Sequence, residues 1–388
     1  MPKAGASVTS RVFRNSAETH AISIVTAMGS VPLHLIPLVV AVLVADKGFS
    51  AMSASLTITV ALAANLGVNA ILALSAIRVD RRDILLPVLA LFALAIACSE
   101  PASNSAAIYP LWALIGVLSG IIGQAGSVFS AYAKHPEQVF ALRLSYVLAL
   151  SGLSVLAILL PLPIPAFARM TGAVALISVT AMFCLLKLPR PSGTQRRLIR
   201  AAPTPPTPLM VLGLLALMFI MLAFTAFLSQ IGSLFDRGSN GGLFKVILIV
   251  GIGKLIIGGL VSLAFALLGL WSLRKQVLIS VATTVAILCL TISDQVVWAI
   301  FFFAMLELTL NTFSPLFNGR LAAILNDYWK HWISFSVLLG ALAGPPVGVW
   351  LVELDPDYGT AGLAILSLIA AATWAAATKA PRSQRVSP

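Results

Sequence analysis

Apolar stretches of about 20 residues, the length of helix that crosses the hydrocarbon core of a bilayer, recur along the whole chain. Taken between charges, prolines and glycines, they predict twelve spans near 21–45, 50–76, 84–99, 106–132, 138–161, 165–187, 209–231, 243–271, 277–292, 296–319, 332–352 and 360–378. The expected architecture is an all-α integral membrane protein. The first stretch is too long for a signal-peptide core and has no small-residue cleavage pattern, so it reads as a permanent span.

One break is of a different kind. From Lys187 to Pro208 the chain reads KLPRPSGTQRRLIRAAPTPPTP, with five basic residues, no acidic ones and six prolines, which neither spans lipid nor forms a regular helix. This basic linker, 188–208, separates a six-helix bundle over 21–187 from a second over 209–378, with tails at 1–20 and 379–388. Arg81-Arg82-Asp83 after the second span and Arg274-Lys275-Gln276 after the eighth stand 193 residues apart, half the chain. The spacing supports two parallel repeats related by an axis along the membrane normal.

Composition removes a soluble globular enzyme from consideration. Of 388 residues, 59% are hydrophobic and 10% charged, and the mean hydropathy is +1.01. The formal charge of +12 reports orientation and not nucleic-acid binding: 20 of 25 Lys and Arg are counted on the cytoplasmic side, on its tails and loops or near the span ends that meet them, against Lys47, Arg169, Arg237 and Lys245 outside and Lys254 at mid-span. Both ends are then cytoplasmic, and the expected location is the inner membrane. Trp271, Trp298, Trp329 and Trp332 sit at span ends and read as interfacial anchors. Cys98, Cys184 and Cys289 are too widely spaced for a disulfide framework or a zinc site.

With six plus six spans, a basic central loop and a charged loop after the second span, the whole chain resembles the major facilitator superfamily. The family's signature in that loop runs Gly, three residues, Asp, a basic residue, then Gly and further basic residues. Asp80 and Arg81 match it, whereas Ala76, Asp83 and Ile84 depart from it. The resemblance implies a cytoplasmic latch, here carried by Asp80 with Arg78, Arg81 and Arg82; a solvated positive-inside loop is the alternative. The fourth span, which in the family often carries an Arg, has no charge between Trp112 and Gly126.

The family's antiporter signature is missing from 146–160 and occurs instead in the eleventh span, as Gly340-Ala-Leu-Ala-Gly344-Pro345-Pro346-Val-Gly348. Small residues four apart permit close helix approach and the prolines free carbonyls, so Gly340, Gly344, Pro345 and Pro346 read as a packing and hinge element. The resemblance also implies that spans one, four, seven and ten line a central cavity, with three, six, nine and twelve outside.

Ionisable groups near mid-span cost about 2.5–3.5 kcal/mol each on insertion scales and are seldom left facing lipid. Three stand there: His34, Lys254 and Glu307. Glu307 begins a polar stripe with Asn311, Ser314 and Asn318, at steps of four, three and four, and reads as a proton-coupling carboxylate; a structural ion pair with Lys254 is the alternative. Lys254 lies in the glycine-rich run Gly251 to Gly259, lacks the pattern of a phosphate loop, and could receive an anionic solute group. His34 continues Thr26 and Ser30 at steps of four between Pro32 and Pro37, where an imidazole could relay a proton or bond a solute. Ser30, Asn65, Asn69 and Gln124 complete the candidate solute contacts, with interhelical hydrogen bonding as the alternative for the last three.

Hydrolase and metal motifs are absent and the four histidines are dispersed, so no enzyme activity, metal or cofactor is expected. The reading is a monomeric secondary transporter moving a small organic, anionic solute with protons across the bilayer. Proton-driven export of drug-like compounds is the runner-up, and a non-transporting receptor or assembly factor on the same scaffold is the rival from another class.

Overall fold

A computed structural model describes residues 16–77, 79, 82–102, 104–186, 203–236, 251, 253–268, 301, 311, 314–354, 362, 366 and 369. Among these, six helices are long and apolar enough to cross a membrane: Met52–Ser75, Arg82–Ser99, Ala106–Ala131, Pro136–Ile158, Ala166–Leu186 and Pro208–Ala226. The protein is all-helical there, and it is a multi-pass membrane protein. Glu307, Asp80, Arg78, Arg81 and Cys289 lie outside the described residues, as do the side chain of Lys254 and the terminal tail at 379–388.

The first span is three helical pieces: α1 (Ser16–Ala27), α2 (Val31–His34) and α3 (Ile36–Lys47). It begins earlier than the hydropathy predicts and is interrupted twice. Gly29 precedes Pro32, which has no N–H to offer the carbonyl one turn back, and Ser30 N bonds the carbonyl of Ala27 at 2.9 Å instead of that of Thr26. Broken backbone at membrane depth persists only where protein or a cavity replaces the lost partners.

Six regular helices follow: α4 (Ala51–Ser75), α5 (Arg82–Ser99), α6 (Ser105–Ala131), α7 (Pro136–Ile158), α8 (Ala166–Leu186) and α9 (Pro208–Asp236). Ser50 caps α4 by accepting from Ser53 N at 3.1 Å, and Asn104 caps α6 by accepting from Ala107 N at 2.9 Å. Beyond them lie a wide π-helical turn at Gly253–Gly258, α10 (Gly259–Leu268), α11 (314–324) and α12 (Trp332–Leu354). Large apolar side chains on α5 and α8 point outward, with Leu94 59% and Leu176 68% exposed, as lipid-facing helices require.

Among the described residues, two of the packings between the halves are related by the repeat. The second span, α4, packs on α12, the eleventh by the sequence count; the fifth, α7, packs on the π-helical turn and α10, the eighth. Shifting every helix by six spans exchanges these two pairs, as parallel repeats require. Glycine permits the second of these approaches from both sides: Gly152 of α7 lies against Leu255, and Gly251 lies against Val155.

The eleventh span packs most closely on the seventh. A Cβ at Gly340 would collide with the carbonyl of Met218, and one at Gly344 with the hydroxyl of Thr225. Helix α12 continues through Pro345 and Pro346.

Candidate functional site

Where α1 gives way to α2, the halves enclose a cavity of about 180 Å³, with room for roughly a dozen waters. The first span contributes Ser30 and His34 from its interrupted stretch, and the second contributes Asn65. Ser119, Gly123 and Ser127, at steps of four, form the wall supplied by α6. Across from them stand Leu217, Ile220, Met221 and Phe224 of the seventh span, with Asn311, Ser314 and Asn318 of the tenth. The predicted stripe Asn311, Ser314, Asn318 therefore faces one cavity, and spans two, five and eleven add to the walls beyond the four that the resemblance implies.

The charged side chain in this lining, among the described residues, is Arg143 of α7, which sequence reasoning missed. The positive-inside tally counts it with the cytoplasmic charges although it falls within the predicted span 138–161, seven residues after Pro136 at the start of its helix. The guanidinium instead crosses to the first and fourth spans. Its Nη2 donates to Ser30 Oγ at 3.0 Å, to the carbonyl of Gly123 at 3.2 Å and to that of Thr26 at 3.5 Å, and Nη1 donates to Ser127 Oγ at 3.3 Å. The Thr26 carbonyl is the acceptor left over when Ser30 N turns to Ala27. The fourth span thus lacks a charge of its own, yet a positive charge lies against it, over Gly123 and Gly126.

The break in the first span is held from a second direction, since Ser119 Oγ donates to the carbonyl of Gly29 at 3.0 Å. Asn65 and Asn69 separate in environment. Asn65 lines the cavity, whereas Asn69 is fully buried between spans two and four, donating to Asn65 Oδ1 at 2.8 Å and to the carbonyl of Gly120 at 3.4 Å. Gln124 is also buried away from the lining and donates to the carbonyl of His331 at 2.8 Å.

That last bond belongs to a closure between the halves. Tyr132, at the end of α6, donates to the carbonyl of Asp327 at 3.1 Å, and Lys330 lies 4.5 Å from its ring centroid while pairing with Asp327 at 3.2 Å. Gly319 of α11 abuts the backbone of Glu137 at the start of α7. On the positive-inside orientation this is the cytoplasmic face. Trp329, beside it, donates through Nε1 to the carbonyl of Thr204 at 2.8 Å, which secures the end of the linker to the second half.

The two halves of the helix bundle thus line one cavity between them, its mainly apolar wall broken by a few polar groups and Arg143. No protein-family model and no curated protein sequence matches the chain. Solved structures do match it. The human organic anion transporter MFSD10 (TETRAN) superposes with a TM-score of 0.72 at 12% identity, over 93% of this chain and 99% of that one. The major facilitator proton:xylose symporter XylE, bound to 6-bromo-6-deoxy-D-glucose, superposes with a TM-score of 0.67 at 11% identity, over 92% and 95%. The chain has the fold of the major facilitator superfamily.

Proposed function

We propose that the protein is a secondary active transporter that carries a small organic anion across the cytoplasmic membrane by alternating access, driven by protons. The observation that carries this reading is the cavity itself: its walls come from both halves, so rocking one half against the other changes the side from which it is reached. The closure through Gln124, Tyr132 and Glu137 supports the same reading, because a carrier needs contacts between the halves that form on one face and release in turn. The neighbours include an organic anion transporter and a proton symporter, and at their level of identity they lend the fold and leave the solute open.

In this proposal His34 and Glu307 move the proton, and Ser30, Asn65 and Asn311, with Lys254, meet the solute. Asp80 with Arg78, Arg81 and Arg82 latches the cytoplasmic side, and Gly340, Gly344, Pro345 and Pro346 serve as the packed hinge. Both termini are cytoplasmic and the working form is a monomer. The test is solute-dependent proton movement in proteoliposomes bearing the purified protein. Uptake with co-transported protons supports import, exchange against protons supports export, and no proton movement with any solute sinks the proposal.

Export of amphipathic compounds is the second reading, favoured by the apolar wall of Leu217, Ile220, Met221 and Phe224. The two differ in the sign of the proton flux.

A further inference from the structure

We propose that Arg143 is the anion-recognition residue of this cavity and that the solute class is an amphipathic monocarboxylate, its carboxylate at Arg143 and its apolar body against the seventh span. The proposal rests on reading the cavity as a solute site, and it adds the residue and the chemistry. Among the described residues Arg143 takes part in no ion pair: the two pairs there are Lys47–Glu100 at 4.0 Å and Lys330–Asp327 at 3.2 Å, and neither lies in the cavity lining. All four acceptors around its guanidinium are neutral, two hydroxyls and two carbonyls, and its Nε is buried with no hydrogen-bond partner.

A guanidinium has five N–H donors and no acceptor, so neutral oxygens satisfy part of its bonding capacity and none of its charge. Removing a charge from water costs several kcal/mol unless an opposite charge replaces the lost solvation, and a bound carboxylate supplies that charge in a geometry the planar fork matches. Among the described lining residues Arg143 alone carries a fixed positive charge, and one such charge calls for one negative charge, which favours a monocarboxylate over a dianion. Leu217, Ile220, Met221 and Phe224 offer the remainder of the solute an apolar surface.

The test uses the full-length protein in detergent and a panel of probes: acetate, butyrate, octanoate and benzoate, each beside its amide, with phthalate as a dianion. Thermal stabilisation reports binding, since a ligand of the folded state raises its melting temperature. The expected result is stabilisation by benzoate or a longer aliphatic carboxylate, little by the matching amide, and weaker binding of phthalate. Arg143→Gln should weaken the carboxylate by about tenfold or more, as loss of charge-assisted bonds predicts, and Arg143→Lys should recover part of it.

Equal stabilisation by acid and amide, no stabilisation by any carboxylate, or undiminished benzoate binding by Arg143→Gln would each overturn the assignment. The acid–amide comparison needs only the unaltered protein, so it decides the matter even where a variant misfolds. Carboxylate binding that depends on Arg143 without uptake into proteoliposomes would uphold the anion site and defeat the transporter reading.

Discussion

Arg143 Nη2 donates to Ser30 Oγ at 3.0 Å, so a charge carried by the fifth span is bonded to a side chain at the break in the first. The same guanidinium takes up the Thr26 carbonyl that the break releases, and the interruption and the arginine therefore depend on each other. A helix interrupted in lipid without such a donor would leave a carbonyl unsatisfied at a cost of several kcal/mol.

Gly126 is the residue that makes room for this arrangement. A Cβ there would stand 2.5 Å from Arg143 Nε and 2.6 Å from Thr26 Cβ. Gly126→Ala should destabilise by about 1–3 kcal/mol through overpacking, despite the better helix propensity of Ala. Gly172→Ala, on a helix where nothing lies within 4 Å, should be neutral or raise stability by about 0.5–1 kcal/mol. Thermal unfolding of the pair checks both; equal effects at the two positions would show that Gly126 is not a close-packing site.

The seventh and eleventh spans meet through glycine in the same way. Gly340→Leu should push α12 away from Met218 and lower the melting temperature, and Gly344→Leu should do so at Thr225. If either variant keeps the original unfolding temperature, the close approach is not holding these spans together.

Gln124→Ala removes the bond to the His331 carbonyl and should weaken the closure between the halves by about 1 kcal/mol, a fivefold population shift toward the opposite state. A thiol reagent applied to inside-out vesicles should then label a cysteine at Ser314 about fivefold faster. An unchanged rate would make this contact incidental to closure.

Glu307→Gln should leave solute binding measurable and abolish uphill accumulation, because an amide cannot exchange the proton. Accumulation at the original level would remove Glu307 from coupling and leave His34 as the candidate relay.

Much of the fold is legible in the sequence because a span must be long and apolar to exist in lipid, and α4 to α8 begin and end within a few residues of the hydropathy boundaries. Ser30, His34, Asn65 and Asn311 were also legible, as polar side chains at mid-span with helical spacing, and all four line the cavity. Arg143 was not. Cations near span ends usually extend back to the headgroups, and hydropathy cannot distinguish that from an arginine turned inward. The usable signal was its face of the helix: Phe140, Arg143, Leu144 and Val147 share the cavity side, opposite a fourth span with Ser119, Gly123 and Ser127 at steps of four. Asn69 and Gln124 have the same polar appearance as Asn65 in sequence, and helix packing alone separates them.

The central claim is that the cavity between the halves opens in turn to each side of the membrane, and a cysteine in place of Ser314, with Cys98, Cys184 and Cys289 replaced by Ser, tests it without knowledge of the solute. A membrane-impermeant thiol reagent should reach that position both in intact cells and in inside-out vesicles, while a cysteine in place of buried Asn69 should react from neither side. Reaction of the Ser314 position from one side only, with solute panel and proton gradient varied, would contradict the account.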